Sequence, residues 1–241
     1  MKLSERLQLI ADEIKTGETM ADIGTDHGFL PLYLLENHIS PKVIMADISS
    51  GSLAKAGENC KLAKAKGDFE LRLGNGIDVL KDGEVDVVVM AGIGGLLTID
   101  MLQWNLAKSR SLKRYILQPR NKPGILRHWL YCNGFSIVKE SLVRESKFIW
   151  EIFTVESGIA PSADRKNTPY DETFDFPDEL LTFGNDLTEA YLQKKLELQH
   201  MIYRNIAENG NEAENAAKPV LARIRRIEFL LEEWERRHGE R

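Results

Sequence analysis

Cysteine is nearly missing from this chain, and several familiar signals are missing altogether. Cys60 and Cys132 stand apart, with no C-x-x-C and no histidine pair beside them. That argues against a zinc site and for a reducing, cytoplasmic compartment. The five histidines, His27, His38, His128, His200 and His238, are scattered, so no metal site is expected. No apolar run approaches the ~20 residues of a membrane span. The opening MKLSERLQLIADEI has an apolar face, but Glu5, Arg6, Asp12 and Glu13 interrupt it, so no signal peptide is expected. The net charge of −5 lacks the basic excess of many nucleic-acid binders, so any RNA contact has to rest on local basic patches. Neither G-x-G-x-x-G nor G-x-x-x-x-G-K-[ST] occurs, which removes the usual dinucleotide and phosphate-loop fingerprints.

What is present is organised around Met20 to Gly28, MADIGTDHG. An apolar strand over 19–23 breaks at Gly24, and an apolar run of helical length follows near 29–37. The turn between them carries Asp22 and Asp26, with Thr25 and His27 beside them. A phosphate cradle is poor in acids, because backbone N–H groups receive the anion there. This loop suits a cofactor with positive charge and no phosphate, and S-adenosylmethionine fits. The plainer reading makes Gly24 and Gly28 turn glycines and the acids helix caps.

The remaining pattern is βα repeated. Leu3, Leu7, Ile10, Ala11 and Ile14 recur at helical spacing ahead of the first strand, in a helix expected to cover one sheet edge. A second strand over 43–47 ends in Asp47, 23 residues beyond Gly24. An acid at that offset accepts hydrogen bonds from ribose hydroxyls, although Asp47 can also cap the next helix, over 50–66. The strand over 69–73 ends in Gly74-Asn75-Gly76, where Asn75 can meet an adenine edge or simply serve a turn. The apolar strand over 85–90 ends in Ala91-Gly92-Ile93-Gly94-Gly95, leaving room for a flat acceptor, and a helix to about Ala107 follows. A fifth strand over 115–118 closes at Pro119, and a helix starts at Pro123 and stops before Gly134. Segments 135–142 and 148–155 alternate as strands and are joined too tightly to be parallel. Five parallel strands finished by a β-hairpin describe a methyltransferase sheet better than a dehydrogenase sheet.

Beyond that hairpin the composition changes. Residues 158–184 are polar and proline-bearing, read as a linker. Leu187, Tyr191, Lys194, Leu198, Met201 and Asn205 keep 4-3 spacing. Asn209-Gly210-Asn211 interrupts, and Val220, Ile224, Ile227, Leu231 and Trp234 resume it. Two such helices predict an antiparallel coiled-coil hairpin. Its basic clusters, Lys194-Lys195, Arg223-Arg225-Arg226 and Arg236-Arg237, read either as a solvated face or as RNA phosphate contacts. The expected domains are 1–157 for cofactor binding, 158–184 as linker and 185–241 as helical hairpin.

With these residues in view, the chain resembles the bacterial tRNA (adenine(22)-N(1))-methyltransferases, the TrmK family. The likeness rests on DIGTDHGFLP (22–31), MADIS (45–49), LGNGIDVL (73–80), AGIGG (91–95) and LQP followed by a helix with Arg127-His128-Trp129-Leu130. Here Arg120 intervenes between LQP and Asn121, where the family pattern has the asparagine directly. The resemblance implies an α/β, class I methyltransferase Rossmann-like fold. It implies methyl transfer from S-adenosylmethionine, without metal, to N1 of an adenine in the D-arm region of tRNA. It places Asp22, Gly24, Thr25, Asp26, His27, Asp47, Ile48, Asn75, Gly76, Ala91, Gly92 and Gly94 at the cofactor. Asp26, His27 and Asn121 fall on the catalytic side. Basic residues of the hairpin and of 108–127 would hold the RNA. Two rivals stand beside this reading. One is a methyltransferase for a small molecule or protein whose hairpin serves dimerisation, and the other is a non-catalytic binding module.

Overall fold

The computed structural model describes residues 1–63, 67–158, 161–182, 185–208 and 213–239. Its centre is one sheet of β1 (Met20–Ile23), β2 (Lys42–Asp47), β3 (Asp68–Leu73), β4 (Val87–Ile93), β5 (Arg114–Pro119), β6 (Phe135–Glu145) and β7 (Phe148–Ser157). The spatial order is β3-β2-β1-β4-β5-β7-β6. The first five strands are parallel, and β7 runs antiparallel between β5 and β6. The order reverses between β1 and β4, so the carboxyl ends of these two strands open a crevice where such sheets bind ligands.

Helices cover both faces. On one side lie α1 (Glu5–Asp12), α2 (Phe29–Glu36) and α3 (Ser50–Leu62), whose Ile10, Leu34 and Ala56 are fully buried with Met20, Val43 and Val87. Ser4 and Ser49 cap α1 and α3 through their hydroxyls. Residues 64–66, expected to continue the third helix, lie outside the described residues. The other face carries α4 (Gly95–Trp104), α5 (Leu106–Ser111) and α6 (Pro123–Cys132) around Leu102, Tyr115 and Leu126. The single helix expected to run to Ala107 is thus two. Asn105 leaves helical geometry at φ −136°, and its side chain accepts from the Lys108 N–H, capping α5. Burying a Leu or Ile side chain stabilises by about 1.5–3 kcal/mol. Truncating Leu34 to alanine, which leaves a cavity as well, costs about 2–5 kcal/mol.

Residues 161–182 are packed rather than strung out. They form α7 (Ala163–Lys166), α8 (Glu172–Asp175) and a 3-10 turn, Asp178–Leu181. Phe176, Leu180 and Leu181 join a third core with Leu142 and with the long helices α9 (Leu187–Glu208) and α10 (Ala213–His238). Tyr191 and Leu192 of α9 meet Ile227, Leu230 and Trp234 of α10 in that core. The expected Asn209-Gly210-Asn211 turn lies outside the described residues.

Beneath this core, Arg127 donates to both oxygens of Glu140 at 2.9 and 2.7 Å and also pairs with Glu151, which the Tyr191 hydroxyl reaches from α9. Removing one partner of such a buried ion pair costs about 3–5 kcal/mol. Tyr191 also sets the rotation of α9. With Tyr191 and Leu192 inward, the seam continues at Leu196 and Gln199, so Leu198 and Met201, expected inside, are exposed.

Candidate active site at the carboxyl ends of the strands

The strand ends place the residues singled out in the sequence along one crevice. After β1, the Gly24 and Thr25 N–H groups both donate to the Ala46 carbonyl, at 2.8 and 3.1 Å, which folds the loop back over β2. Gly24 sits at φ +81°, and a Cβ there would come within 3.1 Å of Ile93. Gly28, also left-handed, caps α2 through its backbone, so neither Asp22 nor Asp26 caps that helix. Asp26 is left exposed, its carboxylate 3.3 Å from the His27 ring. His27 stacks on Phe29 with centroids 5.2 Å apart. Thr25 is buried between the two acids, with its side chain toward the Asp22 carboxyl.

Asp22 lies deeper. Burial pushes its carboxyl up to about 6, the Asp47 charge pushes the same way, and Thr25 and Arg6 oppose it. Asp47 accepts from the Ser49 N–H at 2.7 Å through Oδ1, which leaves Oδ2 for another donor. Ser49, not Asp47, caps α3. Ile48 and Leu73 are 73% and 62% exposed beside it, a large apolar surface at the ends of two strands. Asn75 precedes a 3-10 turn without capping it, so its amide is uncommitted. Gly76 turns inward, where a Cβ would strike Met101 at 2.9 Å.

The third wall is Ala91 to Gly95. A Cβ at Gly92 would meet nothing within 4 Å, so the loop faces open space there. The Gly92 N–H donates to Gln118 Oε1 at 2.9 Å. A Cβ at Gly94 would lie 3.3 Å from Asn121 Oδ1, and the Gly95 N–H donates to the Asn121 carbonyl. Asn121 therefore lies against the glycine loop. The Arg120 N–H donates to the Ile93 carbonyl, and Lys122 takes a left-handed conformation.

Sequence reasoning missed three residues of this crevice. Arg6 reaches over from α1 and donates to Gln118 Oε1 at 3.1 Å and to Glu145 Oε2 at 3.0 Å. Gln118 passes for a strand residue, Glu145 for a turn acid, and Arg6 for the polar side of an amphipathic helix. Only tertiary pairing brings them together. Among the basic residues of 108–127, Arg110, Arg114 and Arg127 are turned inward onto Asn133, Glu18 and Glu140, whereas Arg120 and Lys122 stay exposed beside the crevice. In the hairpin, Arg223 pairs with Asp175 at 2.7 Å and Arg226 with Asp178 at 2.8 Å.

A parallel sheet with an antiparallel β7, acids ending β1 and β2, and a glycine loop after β4 define a class I methyltransferase. In agreement, the family described as a methyltransferase domain matches residues 3–153. A Bacillus subtilis tRNA (adenine(22)-N(1))-methyltransferase is 34% identical over 163 residues, covering 68% of each chain. This chain belongs to that tRNA (adenine(22)-N(1))-methyltransferase family. Among solved structures, Bacillus subtilis TrmK, an m1A22 tRNA methyltransferase, superposes with a TM-score of 0.81 at 27% identity, over 95% of this chain and 99% of that one. A Streptococcus pneumoniae protein described as a candidate tRNA (m1A22) methyltransferase, in complex with S-adenosyl-L-methionine, gives 0.79 at 28% identity, over 95% and 100%.

Proposed function

We propose that this protein transfers the methyl group of S-adenosylmethionine to N1 of adenine 22 in tRNA. The observation that carries the reading is the crevice itself: two acids, an open glycine loop and an exposed apolar ledge converge where β1 and β4 diverge. The residues present fit the cofactor. Asp47 has a free carboxylate oxygen for the ribose, and Ile48 and Leu73 offer apolar faces for the adenine with Asn75 at its edge. The acids suit a ligand with a sulfonium and an ammonium. The bound cofactor supplies an electrophilic methyl group, and the protein's own work is alignment of the acceptor with it.

Adenine N1 carries its own lone pair, so no strong base is required before attack. Transfer leaves positive charge on the ring, and the exposed Asp26 carboxylate, steadied by His27, is the group assigned to stabilise it. Asn121, held against Gly94, is assigned to the acceptor's polar edge. Adenine N1 lies on the pairing edge, so the base has to leave its stack to enter the site.

The tRNA is assigned to the same end of the molecule. Asn185 donates to the Leu142 carbonyl and Lys194 to the Lys147 carbonyl, so α9 ascends β6 toward the strand ends that carry the crevice. Lys194, Lys195 and Arg204 on α9, with Arg120 and Lys122, are the residues proposed to meet the D-arm backbone. Arg223 and Arg226, already paired with Asp175 and Asp178, are not. No helix among the described residues is long and apolar enough to cross a membrane. The unpaired Cys60 and Cys132 suit a cytoplasmic setting. The test is methyl incorporation into an unmodified transcript with adenine 22 against one with guanine there. Incorporation into the first alone supports the reading, and equal incorporation refutes it.

A further inference from the structure

The β6–β7 hairpin outgrows the sheet it completes. Leu117 of β5 faces Phe153 of β7, and from there β5 runs two residues to Pro119 while β7 runs back five to Phe148. At roughly 3.3 Å per residue the tip overhangs the end of β5 by about 10 Å, on the side where β4 opens into its glycine loop. Ser146, at φ +55°, and Lys147 close the turn. Three hydrogen bonds tie this tip to the glycine loop. Glu145 accepts from Arg6 at 3.0 Å, Arg6 donates to Gln118 at 3.1 Å, and Gln118 accepts from the Gly92 N–H at 2.9 Å. From α9, Lys194 donates to the Lys147 carbonyl at 2.9 Å. On this braced turn Phe148 is 49% exposed. Its ring leans on Trp150, with centroids 5.2 Å apart, and Trp150 packs against the core beneath α1. The Lys147 ammonium lies over the Phe148 ring, 5.3 Å from its centroid.

We propose that Phe148 is a stacking platform for a tRNA base that flanks the methylated adenine, with Lys147 meeting the adjoining phosphate. The inference rests on the tRNA reading above. A target adenine that leaves its stack strips each neighbouring base of a partner. An aromatic ring can replace that partner whatever the sequence, because every base has a π-face. The lysine suits the same task. Over an exposed ring its attraction is weak, so an incoming base displaces the ammonium, which remains beside the RNA as a cation. Trp150 keeps the ring from folding down onto the sheet, and the bonds through Arg6 and Lys194 hold the turn in place. Phe148 then acts as a positioning residue that favours the opened form of the RNA.

The test is methylation kinetics of the full chain on unmodified tRNA transcripts, with cofactor affinity read beside it by calorimetry. Phe148→Ala is expected to lower kcat/KM for tRNA roughly 5- to 100-fold, the range of one lost base stack, and to leave S-adenosylhomocysteine affinity within about twofold. Phe148→Trp is expected to keep wild-type activity. Phe148→Leu, apolar but without a ring face, is expected to behave like the alanine variant. Restoration by leucine as complete as by tryptophan would make Phe148 a packing residue and overturn the proposal, as would wild-type kinetics in Phe148→Ala. The salt dependence of tRNA binding is expected to be unchanged in Phe148→Ala and to flatten by roughly 0.7–0.9 in log K in Lys147→Ala. Transcripts with an abasic site on one side or the other of position 22 then locate the base. On one of them Phe148→Ala is expected to add no further loss, and full additivity on both would refute the assignment. A dimer by light scattering that Phe148→Ala dissolves would give the ring to a second copy of the chain and also refute it. If the wild type methylates no tRNA at all, the tRNA reading itself fails, a result distinct from all of these.

Discussion

Replacing Asp22 by asparagine is expected to make the ligand-free protein more stable and a worse cofactor binder. The reasoning starts from the carboxyl held at about 6 rather than 3.8 by burial. A raised value means that the folded state disfavours the charged form. Below pH 3.8 the group is neutral folded and unfolded, and it costs nothing. Between 3.8 and about 6 the unfolded chain ionises first, and above that window the folded protein bears the whole cost. The gap corresponds to about 3 kcal/mol, taken as a ceiling because Asp22 retains some contact with solvent. For a chain of this size that is a rise in Tm of roughly 5–10 °C at pH 7.5. Asparagine keeps the shape without the charge. Scanning calorimetry of both proteins, with and without S-adenosylhomocysteine, reads both effects. The stability gap is expected to shrink to about half by pH 5, and added ligand to raise the wild-type Tm more than that of Asp22→Asn. A variant no more stable than wild type at pH 7.5, or a gap that ignores pH, refutes the argument.

Three further outcomes are expected. Asp47→Ala removes the acceptor for the ribose hydroxyls and is expected to weaken cofactor binding by about 1.5–3 kcal/mol, roughly 10- to 150-fold by calorimetry. Unchanged affinity would remove Asp47 from the site. Asp26→Asn is expected to leave that affinity intact and lower turnover in single-turnover methylation, because its partner is charge that develops during transfer; normal turnover would make it a bystander. Lys194→Ala with Lys195→Ala is expected to flatten the salt dependence of tRNA binding by roughly 0.7–0.9 in log K per lost contact. Arg223→Ala is expected instead to lower thermal stability by breaking its pair with Asp175, with the slope unchanged.

The parts of this protein that were legible in advance are those written by local rules. Alternating strand and helix patterns, the glycine turns at Gly24 and Gly92, and the offset of Asp47 are properties of adjacent residues. They bring the singled-out residues together at the strand ends. Long-range pairing was invisible. Nothing in LSERLQ says that Arg6 meets Gln118, 112 residues away, or Glu145, 139 away. Prolines and polar residues made 158–184 look like a linker, yet Phe176, Leu180 and Leu181 are enough to seat its described part in a core with the helical pair. The α9 seam was misplaced for a related reason. Heptad spacing admits neighbouring registers, and the buried bond from Tyr191 to Glu151 chooses among them.

The central claim is methyl transfer to one nitrogen of one base, and one measurement meets it directly. Unmodified tRNA is incubated with the protein and S-adenosylmethionine, digested, and its nucleosides and fragments are analysed by mass. The account predicts 1-methyladenosine, in the fragment that contains position 22, formed in proportion to enzyme and time. Methyl groups at another position or on another base, or none despite tight cofactor binding, would contradict it.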